Sequence, residues 1–273
     1  MTRAVLDRPN PPKRIGPTYF VNPIQEALRW LGRQALLKAF FAIPELPKVL
    51  TELQTMTAFL QVWHYLYRAQ VPGDYLEFGV FRGQSFTLAL ESAGKVLKGQ
   101  RGSRRFFAFD SFAGLPDVDP EKDSGIFQRG DFSAEEHRFR RNIAKPARGW
   151  PVVVVPGFFS ESLTDEFRAQ HQLTHAAFAV IDCDIYASTV DVLRFLTPLL
   201  HRGSVLYFDD WYYAGKDLRR GEPGACAEWL DRNPTIHLLP FGRVGETGQL
   251  FLVDCGETER AAPQEAVARM KGP

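Results

Sequence analysis

The sequence is poor in the features that mark secreted, membrane-spanning and nucleic-acid-binding proteins. It has three cysteines in 273 residues, far apart and without a CxxC pair, so neither a disulfide framework nor a cysteine zinc site is predicted. No run of 18 apolar residues is present, so no membrane span is predicted. The formal net charge is +1, which provides no overall attraction to nucleic acid. These absences favour a cytoplasmic protein.

The segment from Asp74 to Ser85 lacks the signatures of two common nucleotide-binding turns. It reads DYLEFGVFRGQS, which predicts a short strand, a turn at Gly79 and Gly83, and a helix start. A P-loop has a lysine after its glycines, whereas Gln84 follows here. A dinucleotide fingerprint has a third glycine, which is missing. With an acid near the strand end, the segment favours a ligand with a ribose and a positive centre, held against bare backbone.

After Pro72-Gly73, short β-rich runs alternate with helical stretches. The predicted strands are Tyr75–Val80, Arg105–Phe109, Val152–Val155, Ala177–Ile181 and Ser204–Phe208. The predicted helices are Ser85–Leu97, Ala134–Ala144, Ser160–Gln170, Ser188–Leu200 and Ala225–Arg232. This alternation predicts an α/β fold with a doubly wound, Rossmann-like parallel sheet and helices on both faces. A closing hairpin, Thr235–Pro240 and Gln249–Val253, predicts one antiparallel strand at the sheet edge.

Residues before this domain are predicted to be helical after a loose start. We expect a flexible tail over 1–21, a helical lid or dimerisation segment over 22–72, the main domain over 73–256 and a C-terminal tail over 257–273. A basic amphipathic helix over Gln25–Phe41 would pack on its own domain or on a second subunit, and a membrane surface is the alternative. A second helix, Leu50–Gln70, is predicted. Its apolar stripe would consist of Leu53, Met56, Leu60, Trp63 and Tyr67.

Acidic residues follow four of the five predicted parallel strands. They are Glu77, then Asp110, then Asp182 and Asp184, then Asp209 and Asp210. Ligands of open α/β sheets bind outside the carboxyl ends of the strands, so we expect these acids on one ligand-binding edge. An acid after the second strand is suited to bind ribose hydroxyls, with the capping of a turn as the alternative.

The four aspartates after the last two parallel strands would repel one another unless a cation or a proton intervened. Hard oxygen ligands favour Mg²⁺, which would lower the pKa of a bound hydroxyl. The alternative is a set of helix caps, with Asp184 capping the helix near Ser188. Trp211, Tyr212 and Tyr213 come next, and they would either wall a sugar or aromatic ring or pack in the interior.

Four blocks together resemble the macrocin O-methyltransferase family of class I S-adenosylmethionine (SAM)-dependent enzymes. The blocks are LEFGVFRGQS from Leu76, FDSFAGLP from Phe109, IDCDIYAST from Ile181 and FDDW from Phe208, and the resemblance runs from about Pro72 to Val253. It implies a seven-stranded sheet with the last strand antiparallel, SAM as the methyl donor, and Mg²⁺. Gln84 departs from the pattern, because many relatives have a second glycine there.

The resemblance also implies roles for particular residues. Those expected to bind the cofactor are Glu77, Phe78, Gly79, Gly83, Ser85, Asp110, Ser111, Phe112 and Asp182, with Asp110 at the ribose. Those expected to bind the metal are Asp182, Asp209 and Asp210, with Asp184 as a fourth candidate. Asp182 or Asp184 would be the general base.

The predicted function is methyl transfer from SAM to a hydroxyl of a sugar, on a glycan or a glycosylated natural product. The expected partners are a small-molecule or glycan acceptor and a second copy of the chain in a homo-oligomer, without nucleic acid. Three alternatives remain: a metal-independent methyltransferase acting on another metabolite, a nicotinamide-dependent oxidoreductase, and a non-catalytic protein that has kept the fold.

Overall fold

The computed structural model describes residues 46–99, 102–213 and 217–256, together with 31, 32, 34, 35, 38, 42 and 44. The two predicted tails, and most of the amphipathic helix predicted over Gln25–Phe41, lie outside the described residues. The chain divides into two units, Met1–Pro47 and a compact unit, Lys48–Pro273. None of the helices in the described ranges has the length and apolar character needed to cross a bilayer.

The compact unit is built on one seven-stranded sheet. Its strands are β1 (Asp74–Phe78), β2 (Phe106–Asp110), β3 (Val152–Pro156), β4 (Ala176–Ile181), β5 (Val205–Phe208), β6 (Ile236–Val244) and β7 (Gly248–Cys255). The spatial order is β3-β2-β1-β4-β5-β7-β6. Strands β1 to β5 pair in parallel, and β7 runs antiparallel to both neighbours. The predicted Rossmann-like, mostly parallel sheet with an antiparallel last strand is therefore confirmed.

Helices cover both faces of this sheet. They are α1 (Leu46–Arg68), α2 (Gln84–Val96), α3 (Glu136–Ile143), α4 (Phe159–Ser162), α5 (Asp165–Gln170), α6 (Tyr186–Leu196) and α7 (Gly221–Arg232), and a 3₁₀ turn, Thr197–Leu199, follows α6. The single helix predicted over Ser160–Gln170 is wrong, because α4 and α5 are separate. Thr164 lies between them, and its hydroxyl accepts a hydrogen bond from the Phe167 N–H at 3.1 Å, which starts α5.

The central strands are buried on both faces, as expected for a parallel sheet between helices. Successive side chains alternate between two hydrophobic clusters. On β1, Tyr75 belongs to the cluster that contains α1, α2 and α3, whereas Leu76 and Phe78 belong to the cluster under α6 and α7. On this strand Glu77 is the exception, because an acid occupies an interior position of the first face.

The apolar stripe predicted for the second helix is correct at Trp63, which is fully buried, and wrong at Leu53, Met56 and Tyr67, which are exposed. Leu60 is half-buried. The buried face of α1 consists of Ala58, Phe59, Val62, Trp63 and Leu66. The two faces differ by a rotation about the helix axis, and both show helical spacing of apolar residues. The Trp63 ring packs among Tyr75, Phe106 and Phe178 of the sheet.

The sequence predicts the start of the main domain at residue 73, after α1. The compact unit starts at Lys48, so nearly all of α1 belongs to it. This is a consequence of the buried face of α1, which contributes to the same hydrophobic cluster as β1, β2 and β4. A role in lid closure or dimerisation remains a prediction for residues 22–72.

Candidate active site

The registers of the parallel strands determine which residues meet at the carboxyl edge. Phe78 pairs with both Phe109 and Ile181, and Ile181 pairs with Phe208. The residues one position further along are Gly79, Asp110, Asp182 and Asp209, which therefore lie side by side. The sheet thus brings the predicted glycine turn and the predicted acids together on one edge.

A cavity of 640 Å³ lies along this edge. Its lining runs from Phe158, after β3, to Tyr213, after β5, and includes Asp110, Asp182 and Asp210. Strands in a sheet are about 4.8 Å apart, so four intervals from β3 to β5 correspond to about 19 Å. A site of this length accommodates a nucleoside at one end and a second molecule at the other.

Gly79 is at the closest approach between the chain segments that follow β1 and β4. Its φ is 88°, and a Cβ atom placed on it would lie 1.7 Å from the carbonyl oxygen of Asp182. Any side chain would push these segments apart. Gly79 lines the cavity. Only glycine fits at this position, as the sequence motif indicated.

Gly83 packs against a neighbouring helix, and its role in cofactor binding stays a prediction. It precedes α2 with a φ of 83°, and a Cβ there would meet the Phe139 ring of α3 at 2.9 Å. It lies outside the cavity lining, and so does Gln84, whose side-chain amide donates to Glu52 at 3.1 Å. The second glycine of the motif permits close packing of α2 and α3.

Glu77 is buried beneath the edge and is absent from the cavity lining. Its carboxyl group accepts hydrogen bonds from the hydroxyls of Tyr75 and Ser85. Burial raises the Glu77 pKa to about 8, and the two hydrogen bonds oppose that shift. Phe78 packs against Phe109. With Phe78, the side chains of Glu77 and Ser85 support the glycine turn from the side away from the cavity.

Asp110 lines the cavity, but three backbone amides occupy most of its carboxylate. One oxygen accepts from the N–H groups of Val80 and Phe81, each at 2.8 Å, and the other accepts from Phe112 N–H at 2.7 Å. Asp110 therefore caps the turn that follows β2 and also fixes the turn after β1, and its ribose-binding role stays a prediction. A carboxylate has about four acceptor positions, so one remains for a ligand.

Three aspartates converge at the end of β4 and β5. One carboxylate oxygen from each of Asp182, Asp184 and Asp210 lies within 4.8 Å of the other two. Asp184 has a φ of 63°, a left-handed conformation that aspartate tolerates better than most residues. It does not cap α6, because the first N–H of that helix, at Tyr186, donates to Asp123 at 2.7 Å.

Burial and mutual repulsion raise the pKa of every carboxyl group in this cluster. The pKa of Asp210 rises to about 9, first through burial and then through Asp184 and Asp209. The pKa of Asp184 rises to about 6, mainly through burial. Burial also raises the Asp182 pKa, and the neighbouring aspartates raise it further. A site with this electrostatic profile favours a positive charge.

Asp209, a predicted metal ligand, also lines the cavity, and its carboxylate accepts a hydrogen bond from the Tyr207 hydroxyl. Sequence reasoning missed the acid behind it, Glu222, which is fully buried in the first turn of α7. One Glu222 oxygen accepts from the Asp210 N–H at 3.0 Å. No sequence motif marks Glu222, because α7 reaches this edge of the sheet only when the chain is folded.

Aromatic residues of the cavity were also largely missed. Phe81, Phe127, Phe132 and Tyr213 line it on one side, and Phe158 and Phe159 line it near β3. Tyr213 was singled out together with Trp211 and Tyr212, and the three differ. Trp211 packs on Phe208 and Phe251, and the Tyr212 hydroxyl donates to Gln249. Ser111 lines the cavity, whereas Phe112 lies just outside it.

The strand order, the single antiparallel strand and the acidic edge define the fold of the class I methyltransferases. The family model described as Macrocin-O-methyltransferase (TylF) matches residues 22–220. The chain belongs to this family.

Two curated relatives come from Streptomyces. Demethyldecarbamoylnovobiocin O-methyltransferase of Streptomyces niveus is 30% identical over 148 residues, which cover 52% of this chain and 53% of the relative. 8-Demethyl-8-(2,3-dimethoxy-alpha-L-rhamnosyl)-tetracenomycin-C 4'-O-methyltransferase of Streptomyces olivaceus is 30% identical over 154 residues, 52% of this chain and 54% of the relative. The chain thus spans about half the length of each.

Solved structures confirm the fold. The O-methyltransferase NovP is 22% identical with a TM-score of 0.59, covering 73% of this chain and 79% of its own. The calicheamicin methyltransferase CalS11 is 22% identical with a TM-score of 0.60, covering 86% and 94%. At this identity the similarity concerns the fold.

Proposed function

We propose that the protein transfers a methyl group from SAM to a hydroxyl group of a sugar in a glycosylated small molecule. The observation that carries this proposal is the single cavity that joins the glycine turn and Asp110 to the cluster of Asp182, Asp184 and Asp210. The family and the two Streptomyces relatives support it, because both relatives are O-methyltransferases and the name of one includes a rhamnosyl group on its substrate.

The cofactor would occupy the half of the cavity between β3 and β1. Its ribose would use the remaining acceptor position of Asp110, and the rings of Phe158 and Phe159 would face its adenine. Gly79 would let the methionine end approach the backbone, with Asp182 beside it. Glu77 and Ser85 would hold the glycine turn in place without contacting the cofactor.

The acidic cluster fits a divalent cation. Its three carboxylate oxygens are of the ligand type that Mg²⁺ prefers, and burial is the main cause that raises the pKa of Asp184 and Asp210. Asp182 and Asp210 were predicted as metal ligands and also belong to the cluster of three aspartates. The third member of that cluster is Asp184. When bound, such a cation would lower the pKa of an acceptor hydroxyl.

The chain would then act mainly by positioning. When bound, SAM would supply a methyl group whose carbon would bond to the acceptor oxygen as its bond to the sulfonium sulfur broke, so the chain would have to hold donor and acceptor in line. The cavity is long enough to hold both along one edge. The hydroxyl proton would pass to a carboxylate of the cluster, and Asp182 and Asp184, which both line the cavity, are the two candidates for this base.

Isothermal titration with SAM tests the cofactor assignment. We expect binding by the wild type and at least about tenfold weaker binding by Asp110→Asn, because each lost charge-assisted hydrogen bond costs about 1.5–3 kcal/mol. Asp231→Asn, which changes an exposed aspartate of α7, is the matched control and should bind normally. Lack of SAM binding by the wild type would refute the proposal.

Manganese titration tests the cation site without relying on turnover. The wild type should bind Mn²⁺, and Asp210→Asn should bind it at least about tenfold more weakly, since one charged ligand is lost. The same control variant, Asp231→Asn, should bind like the wild type. If EDTA leaves turnover unchanged and Asp210→Asn binds Mn²⁺ normally, the enzyme is a metal-independent methyltransferase.

A further inference from the structure

Asp123 is a buried acid that takes no part in the mechanism described above. It lies in the segment between β2 and α3, outside the cavity lining, and is 1% exposed. One oxygen of its carboxylate accepts from Asp119 N–H at 2.8 Å, and the Asp123 N–H donates to the Asp119 carbonyl oxygen, also at 2.8 Å. These two bonds close a turn over residues 119–123, which we call the anchoring turn. The other carboxylate oxygen accepts from Tyr186 N–H, the first of α6, at 2.7 Å.

A second set of hydrogen bonds joins the anchoring turn to α7. Arg220, the residue before this helix, donates from its guanidinium group to the carbonyl oxygens of Pro120 and Asp123, at 3.3 and 3.0 Å. The first N–H of α7, at Gly221, donates to the Lys122 carbonyl oxygen at 2.8 Å. The anchoring turn is therefore bonded to the starts of two helices that are far apart in sequence.

These two helix starts adjoin the aspartate cluster. Asp184 lies two residues before Tyr186, and its backbone is in the left-handed region, with a φ of 63°. A residue keeps such a conformation where the surrounding structure holds it. Glu222 follows Gly221, and its carboxyl group accepts the N–H of Asp210 at 3.0 Å. The anchoring turn thus fixes the backbone next to Asp184 directly, and that of Asp210 through Glu222.

Apolar packing supports the same arrangement. Ile185, the residue between Asp184 and the start of α6, is fully buried and forms a small hydrophobic cluster with Leu115 and Phe127. Leu115 precedes the anchoring turn and Phe127 follows it, and both line the cavity. The segment that contains the turn is therefore packed against the backbone next to the cluster on both sides of the turn.

Resting on the proposed function, we propose that Asp123 is a positioning residue for the aspartate cluster. Its carboxylate holds the start of α6, and the turn that it closes holds the start of α7. The end of β4 places Asp182, whereas Asp184 and Asp210 depend on this anchor. Carboxylates this close repel one another, so without the anchor they would move apart and bind a cation less tightly.

Titration of the full-length protein with Mn²⁺ and, separately, with SAM tests this role. Asp123→Asn keeps the size of the side chain, but its amide nitrogen cannot accept an N–H. We expect the Kd for Mn²⁺ to rise at least about fivefold, because a charge-assisted hydrogen bond beside the cluster is lost. The Kd for SAM should stay unchanged, since the cofactor half of the cavity is held by other contacts.

Asp74→Asn is the matched control. Asp74 is also a buried aspartate that accepts a backbone N–H, from Arg105 at 2.9 Å, but it begins β1 and lies at the opposite edge of the sheet. Both variants should lower Tm, and Asp74→Asn should bind Mn²⁺ like the wild type. Equal weakening of Mn²⁺ binding in the two variants would reduce the effect of Asp123 to general stability and overturn the inference. An unchanged Mn²⁺ affinity in Asp123→Asn would overturn it too.

A second variant keeps the test decisive if Asp123→Asn does not fold. Arg220→Met removes the guanidinium hydrogen bonds to the anchoring turn and leaves Asp123 in place, so Mn²⁺ binding should again weaken. Arg219→Met is its control, because the Arg219 side chain is 91% exposed and pairs with Asp217. Equal Mn²⁺ affinities in these two variants would refute the anchor. A wild type that binds SAM but no Mn²⁺ would instead overturn the proposed cation site, and this inference with it.

Discussion

At the scale of single residues, the site depends on acids whose pKa values are raised above the ordinary range. Glu77 illustrates this, because it supports the glycine turn from the interior and its pKa rises to about 8. An acid with a raised pKa in the folded state binds more protons there than in the unfolded chain. Folding is therefore favoured at low pH, and this contribution is lost as the pH rises through the folded-state pKa.

We predict that Glu77→Gln reduces the pH dependence of stability. The difference in the free energy of unfolding, variant minus wild type, should grow in favour of the variant from pH 4.5, the ordinary value, to about pH 8, and then level off. Urea unfolding of the apo-protein across this range measures it. A constant difference over the range would show that the Glu77 pKa is not raised.

Gly79 permits a second prediction at the residue scale. Gly79→Ala places a Cβ 1.7 Å from the Asp182 carbonyl oxygen, so we expect a loss of stability well above the about 1–2 kcal/mol that a left-handed alanine costs. SAM affinity should fall as well. Gly125→Ala is the control, because Gly125 has a φ of 78° with no atom within 4 Å of the added Cβ. Equal losses of unfolding free energy would show that the steric clash is not decisive.

The positions of the acids could be predicted from the sequence, whereas their orientations could not. Asp110, Asp182 and Asp209 follow hydrophobic strands, and parallel strands bring such residues to one edge. Whether a carboxylate faces the cavity depends on contacts from distant segments. The interior position of Glu77 depends on hydroxyls from Tyr75 and Ser85, and the position of Asp210 depends on Glu222.

At the scale of secondary-structure elements, α1 shows why the orientation of a helix is hard to predict. Its sequence contains two apolar faces, and the face with Leu53, Met56 and Tyr67 is exposed. The buried face is selected by the sheet, where Phe59 and Trp63 meet the rings of Tyr75, Phe106 and Phe178. Helical periodicity alone does not distinguish the two faces.

A matched pair of leucine substitutions measures this difference. Leu66 is fully buried and Leu53 is 48% exposed on the same helix. Leu66→Ala should reduce the free energy of unfolding by about 2–5 kcal/mol, because it leaves a cavity in the core. Leu53→Ala should change it by no more than about 0.5 kcal/mol. A large loss for Leu53→Ala would show that this face is covered by other residues or by a partner.

At the scale of the whole molecule, the two proposed ligands would share one cavity. Its walls come from segments after β1 to β5, which are far apart in sequence, so the site exists only when the sheet is complete. Ligands that bind only the folded state stabilise it by mass action, by about 2.7 kcal/mol at a concentration 100 times Kd. Thermal unfolding therefore reports on each half of the cavity.

We predict that SAM and Mn²⁺ each raise Tm in the wild type. In Asp210→Asn, SAM should still raise Tm, whereas the increment from Mn²⁺ should disappear, because the cluster loses one of its three carboxylates and the cofactor half stays intact. In Asp110→Asn the pattern should be reversed. The Asp231→Asn control should show both increments. If both increments vanish together in Asp210→Asn, the two halves of the cavity do not bind independently, and the acidic cluster is required for cofactor binding itself.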